Sequence, residues 1–280
     1  MRLSRRAIRS AYEAACRAEI EALKPGNVHV FADGHRMSAA QFLVSAEVSS
    51  APLTRPGSPL GARLLAAVSA TRQSVGTNTN LGILLLAGPL AMAAEQPGNL
   101  RANLRSVLAG LTIEDAALAF RAIALAAPGG LGQAARHDVH RPPETTLLEA
   151  MREAAPRDRI ARQYVTDYAD VFDVALPVLN NARAAGETGM WPTIFVYMEL
   201  LAALPDSHVA RRHGLETAIE LRGEAVLAAA RLAAESDEAA RHSGLAAFDA
   251  DLKARGLNPG TTADLTVACL LVHNLAGELA

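Results

Sequence analysis

Four short segments concentrate the residue types that can do chemistry. The first is Lys24-Pro25-Gly26-Asn27-Val28-His29, running on to Asp33, Gly34 and His35, and the second is Gly76-Thr77-Asn78-Thr79-Asn80. The third, Pro128-Gly129-Gly130-Leu131-Gly132, runs on to Asp138, and the fourth is Asn258-Pro259-Gly260-Thr261-Thr262-Ala263-Asp264. Glycines permit tight turns whose backbone amides approach a ligand closely, and a nest of such amides suits phosphate. Gly76–Asn80 directly precedes an apolar run, so it offers a helix start with free N–H groups and a positive dipole end. Its plainer role is to cap that helix through Asn or Thr. Asp33, Asp138, Asp206 and Asp264 lie in or beside these segments. Carboxylates near phosphates suit Mg²⁺, which takes one or two of them together with the ligand; each is also a natural turn or cap residue. His29, His35, His137, His140 and His208 accompany them without zinc spacing, and no Gly-x-Ser-x-Gly arrangement occurs.

The elements that must hold these segments follow a helical period, with strand signals nearly absent. The spacing predicts helices near 4–23, 38–51, 59–73, 80–95, 99–108, 113–126, 145–154, 158–182, 191–204, 214–233, 237–254 and 262–276. Ser58 before Pro59 reads as a cap followed by proline at the first helical position. Thr112-x-x-Asp115 and Thr261-x-x-Asp264 read as capping boxes with Asp in the place of Glu. The expected class is all-α, a single compact multi-helix domain over residues 1–280.

The composition narrows the function. Half of the 280 residues are hydrophobic and a fifth are charged, which excludes a disordered chain. Lys+Arg 27 against Asp+Glu 29 leaves a formal charge of −2, so no global field favours nucleic acid. The most apolar run, Leu81 to Ala94, is too short to span a bilayer and contains Gly88 and Pro89. Two cysteines suit a reducing compartment, and a cytoplasmic location is expected.

Taken in order, the motifs resemble the triphosphoribosyl-dephospho-CoA synthase family. They are Lys24-Pro25-Gly26-Asn27-Val28; Thr77-Asn78-Thr79-Asn80-Leu81-Gly82; Gly129-Gly130-Leu131-Gly132 with Asp138-Val139; Asp158-Arg159-Ile160-Ala161 with Tyr164; Asp206-Ser207-His208 with Gly214; and Asn258-Pro259-Gly260 with Ala263-Asp264-Leu265. The resemblance implies an all-helical fold and an ATP-dependent transferase. A hydroxyl of an acceptor such as dephospho-CoA attacks C1 of the ATP ribose, adenine leaves, and the triphosphate stays on the transferred sugar. It further implies that Lys24, Gly26, Asn27, Asn78, Thr79, Gly82, Gly130, Gly132, Asn258 and Gly260 bind the nucleotide. Asp138, Asp206 and His208 are the implied catalytic candidates, and Asp138, Asp206 and Asp264 the implied Mg²⁺ ligands.

Two departures matter. The citrate-lyase branch reads Lys-Pro-Gly-Leu-Val-Asp and Asn-Thr-His-Lys-Gly, where this chain has His29 and Asn80-Leu81 in place of the Asp and of the basic pair. The Pro-Gly-Asn-Val form is similar to a divergent branch, for which ribosyl-phosphate transfer in assembly of a pterin-type one-carbon cofactor is the alternative activity. A non-catalytic nucleotide-binding helical protein is the third reading.

Overall fold

The computed structural model describes residues 2–129 and 137–279. Among them the structure is all-α, with fourteen α-helices and no strand. In chain order these are α1 (Arg5–Ile20), α2 (Ala39–Leu53), α3 (Leu60–Val75), α4 (Leu81–Ala94), α5 (Leu100–Ala109), α6 (Ile113–Ala126) and α7 (Leu147–Ala154). There follow α8 (Arg159–Val165), α9 (Leu176–Ala184), α10 (Trp191–Ala203), α11 (Ser207–His213), α12 (Leu215–Ala234), α13 (Glu238–Ala254) and α14 (Gly260–Leu279). The helices group into two compact units, one drawn from residues 1–16, 41–169 and 271–280, the other from 17–40 and 170–270.

In the first unit α3 packs closely on α6 because Gly61 has no side chain: a Cβ there would stand 2.7 Å from the Asp115 carbonyl oxygen. Asp115 then serves two helices at once. It closes the expected capping box with Thr112 at the start of α6, and its Oδ1 accepts the Gly61 amide at the start of α3 (2.8 Å). That second bond replaces the Ser58 cap expected from sequence: Pro59 is the N-cap residue, and its side chain accepts no capping bond.

α4 is almost wholly buried although Pro89 interrupts its ladder. Proline has no N–H, so the Leu85 carbonyl four residues earlier loses its intrahelical donor. The buried Tyr164 hydroxyl donates to that oxygen at 2.7 Å, and Tyr168 donates to the next carbonyl, of Leu86, at 3.0 Å. Reaching α4 in this way breaks the helix expected over 158–182. Asp167 and Tyr168 both take left-handed backbone (φ 51° and 58°), costly for residues with side chains. Helix resumes as a π-helical segment, Asp170–Ala175, then as α9, with Pro177 in its first turn where no donor is required.

The second unit is built on a core of Leu23, Trp191, Ile194, Tyr197, Met198, Leu201, Val209, Leu221, Leu252 and Leu257 among others. It contains α11, which the periodicity does not predict, because a seven-residue helix is too short to show a repeat. No helix among the described residues is long and apolar enough to cross a membrane.

Candidate functional site

In the second unit the first and last motifs are stitched together. Gly26 has φ 80° and lies so close to the Leu257–Pro259 turn that a Cβ would stand 2.8 Å from Pro259 Cδ and 2.9 Å from the Leu257 carbonyl oxygen. Glycine is required there on both counts. The buried Asn27 amide donates to Asn258 Oδ1 at 2.8 Å, and the Tyr197 hydroxyl donates to the Pro25 carbonyl at 2.7 Å. Gly260 repeats the device, since a Cβ on it would stand 2.5 Å from His208 Nδ1. Thus Gly26, Asn27, His208, Asn258 and Gly260, named from scattered motifs, share one locus.

Lys24 is fully buried. Its ammonium pairs with Glu19 Oε1 at 3.0 Å and donates to the Val28 carbonyl at 2.6 Å, so it ties down the first loop from within. Burial pulls the Lys24 pKa below its usual value and pushes that of Glu19 up, and the attraction between the two opposes both shifts.

Asp206 does for the second unit what Asp115 does for the first. Its Oδ1 accepts the His208 and Val209 amides, capping α11, and its Oδ2 accepts the Thr262 amide and hydroxyl in the first turn of α14, all at 2.8–2.9 Å. Burial pushes the Asp206 pKa up, and these donors pull it back. A carboxylate has about four lone-pair directions, and here four are taken. The arrangement does not fit Asp206 to a magnesium ion or to a substrate proton, and makes it a shared helix cap. The capping box expected at Thr261 gives way to it: α14 already begins at Gly260, and the Thr261 hydroxyl pairs with Ser207 at 3.0 Å. Asp264 sits half-buried in that same first turn. Among the described residues no group of three or more His, Cys, Asp or Glu side chains is placed to hold a metal.

Sequence reasoning missed Asp249 and Lys253. One turn apart on α13, they look like an ordinary exposed ion pair, and no local signal marks them otherwise. In the structure Asp249 Oδ1 accepts the Gly26 amide (2.9 Å), while Oδ2 meets Lys253 Nζ (3.0 Å) and His29 Nε2 (3.3 Å). Burial raises the Asp249 pKa, but the His29, Lys253 and Gly26 donors outweigh it and hold the carboxyl below the usual range. His29 is buried and its pKa lowered by that burial, with Asp249 opposing; its Nδ1 has no partner among the described residues. His208 is pushed down to about 4 by burial and then by Arg211, Arg212, His35 and His213, and its Nε2 is buried without a partner among the described residues.

In the first unit the second motif forms the start of α4. Asn78 Oδ1 accepts the Leu81 amide at 3.1 Å, Thr79 pairs its hydroxyl with Ser45, and Asn80 reaches Ser49 Oγ at 3.3 Å. Gly82 follows in the first helical turn. The alternative foreseen for this segment, a capped helix start, is therefore present, with Asn78 rather than the N-cap residue Asn80 supplying the acceptor. Asp138 Oδ1 accepts the His140 amide at 2.8 Å, a turn-type bond. Gly130 and Gly132 lie outside the described residues.

The family model for ATP:dephospho-CoA triphosphoribosyl transferase (CitG) matches residues 5–280. The chain belongs to this family. The triphosphoribosyl transferase fold is also that of a crystal structure from Archaeoglobus fulgidus, which bears the name triphosphoribosyl-dephospho-CoA synthase as a provisional assignment. The two share 22% identity with a TM-score of 0.66 over 84% of this chain and 98% of that one. At that identity the likeness shows the fold. No curated protein matches the chain. As a family member the chain is a triphosphoribosyl transferase, and the stitched motifs of its second unit are three of the six that carried the resemblance.

Proposed function

We propose that this transferase moves the triphosphoribosyl group of ATP to a hydroxyl of a dephospho-CoA-type acceptor and releases adenine. The observation that supports it best is the locus formed by Gly26, Asn27, His208, Asn258 and Gly260. Two glycines there leave no space for a side chain, and they bring two backbone turns and an imidazole together. The acceptor oxygen forms a bond to ribose C1 as the bond from C1 to the adenine nitrogen breaks. The electron pair leaves with adenine, which takes up a proton, and the acceptor hydroxyl gives one up.

Positive charge grows on the sugar in such a transfer, so a carboxylate or neutral base near C1 lowers the barrier. Asp206 is spent as a cap, which leaves Asp264, in the same unit as the locus, as the carboxylate proposed for that part, while Asp138 stays a catalytic candidate on its motif alone. His208, with its pKa near 4, is neutral at pH 7 and in that state accepts a proton rather than gives one. Gly26, Asn27, Asn258 and Gly260 frame the nucleotide, buried Lys24 stiffens the loop that presents them, and Asn78, Thr79 and Gly82 order the start of α4. Magnesium enters as the counter-ion of ATP, with no step routed through a protein-held ion. A single family model over residues 5–280 supports treating the whole chain as one functional domain.

Incubation with ATP and dephospho-CoA, followed by chromatography for free adenine and mass analysis of the acceptor, tests the proposal. Adenine release coupled to a triphosphoribosyl gain on dephospho-CoA supports it. Release only with a pterin-type acceptor transfers the activity to the alternative branch function. No adenine with any acceptor refutes catalysis of this kind.

A further inference from the structure

We propose that His35, His208, Arg211 and Arg212 form a seat for a polyphosphate chain beside the Gly26 and Gly260 turns. The inference rests on the triphosphoribosyl-transfer reading for its choice of ligand and adds to His208 three residues that no family motif singles out, His35, Arg211 and Arg212. His208, Arg211 and Arg212 stand at i, i+3 and i+4 on α11, and so on one face of it. The His208 ring lies directly on the Gly260 backbone. His35 comes from the other turn, where its Nε2 donates to the Gly26 carbonyl at 2.8 Å, and Gly26 itself packs on Pro259.

The electrostatics agree with the placement. After burial, the side chains that lower the His208 pKa are Arg211, Arg212 and His213 from its own helix and His35 from the first loop, and the two arginines carry full positive charge. The neighbouring acid, Asp206, has both oxygens occupied by donors. His208 Nε2 is buried and has no partner among the described residues. A polyanion at this place offers the missing acceptor and neutralises the surrounding charge, and guanidinium groups are well matched to phosphate oxygens. Both arginines are exposed on α11, so replacing them leaves the core untouched.

The phosphates can come from ATP or from the diphosphate bridge of a CoA-type acceptor. Titration calorimetry on the full chain with inorganic tripolyphosphate, ATP and dephospho-CoA separates the sources, using wild type, the double variant Arg211→Ala/Arg212→Ala, and His208→Gln. The expected result is tripolyphosphate binding that weakens about tenfold or more in the double variant, with a parallel loss for ATP. A loss confined to dephospho-CoA assigns the seat to the acceptor. In parallel, the His208 ring resonances should titrate with a midpoint that rises clearly above 4 when tripolyphosphate is added. Unchanged affinity in the double variant together with an unmoved midpoint overturns the seat, and if adenine release persists the transfer reading stands. Loss of tripolyphosphate binding in the variants, when wild type releases no adenine with any acceptor, keeps the seat and overturns transfer.

Discussion

Tyr164 and Pro89 should be energetically coupled, although neither touches the other's side-chain chemistry directly. Pro89 leaves the buried Leu85 carbonyl without its helical donor, and the Tyr164 hydroxyl fills the gap at 2.7 Å, near the ideal length. Tyr164→Phe keeps the ring and its packing but strips that carbonyl of the donor that stands in for the missing amide. A buried acceptor left without a partner costs about 1–3 kcal/mol, so the variant should lose about 2 kcal/mol. In a Pro89→Ala background the residue 89 amide returns and can close the Leu85 bond within α4. There the same Tyr164→Phe change should cost no more than about 0.5 kcal/mol, which makes the coupling about 1.5 kcal/mol, well inside the range of contacting pairs. Burial and the nearby Asp115 raise the Tyr164 pKa, so the hydroxyl remains a donor at any working pH. Urea denaturation of the four proteins, followed by far-UV circular dichroism, measures the cycle. Equal costs of Tyr164→Phe in both backgrounds would show that Pro89 is not the reason for the tyrosine, and the account of α4 given above would fall.

Further outcomes follow from the second unit. Asp206→Ala should destabilise by about 2–4 kcal/mol, more than a single cap, because α11 and the first turn of α14 lose donors' partners together; thermal unfolding reads this. Gly26→Ala combines a left-handed φ with a clash against Pro259 and Leu257, and should cost about 1–3 kcal/mol in a urea midpoint and reduce adenine release. Gly260→Ala must displace the His208 ring, so its adenine release should fall more than its stability. Acid should weaken the fold by a route traceable to His208. Its folded pKa near 4 lies below the unfolded value of about 6.5, so stability is full above 6.5 and drains as pH falls towards 4, by at most about 3 kcal/mol. His29, also lowered, acts in the same sense as pH falls below about 6.5, and the depressed Asp249 adds its own loss below about pH 4. Urea midpoints between pH 7 and 4 should therefore flatten in His208→Gln, and an unchanged slope would remove His208 from this account.

The all-α class and most helix positions were legible in the sequence, because a 3.6-residue period and a local cap such as Thr112 with Asp115 depend only on neighbours along the chain. The turns at Gly26 and Gly76 were equally visible as turns. What no local pattern contains is a partner supplied from far away. The start of α3 is capped by Asp115 and that of α14 by Asp206, 54 and 56 residues distant, which is why Ser58 and Thr261 were given roles that the folded chain assigns elsewhere. The break between α8 and α9 has the same origin, since Tyr168 must reach Leu86 across 82 residues. Asp249, alike, becomes part of the site only when α13 brings it under Gly26, 223 residues earlier. Periodicity and capping are short-range properties written along the chain. Whether a carboxylate is a cap, an ion-pair partner or a candidate base depends on which donors surround it, and packing alone brings those donors into place.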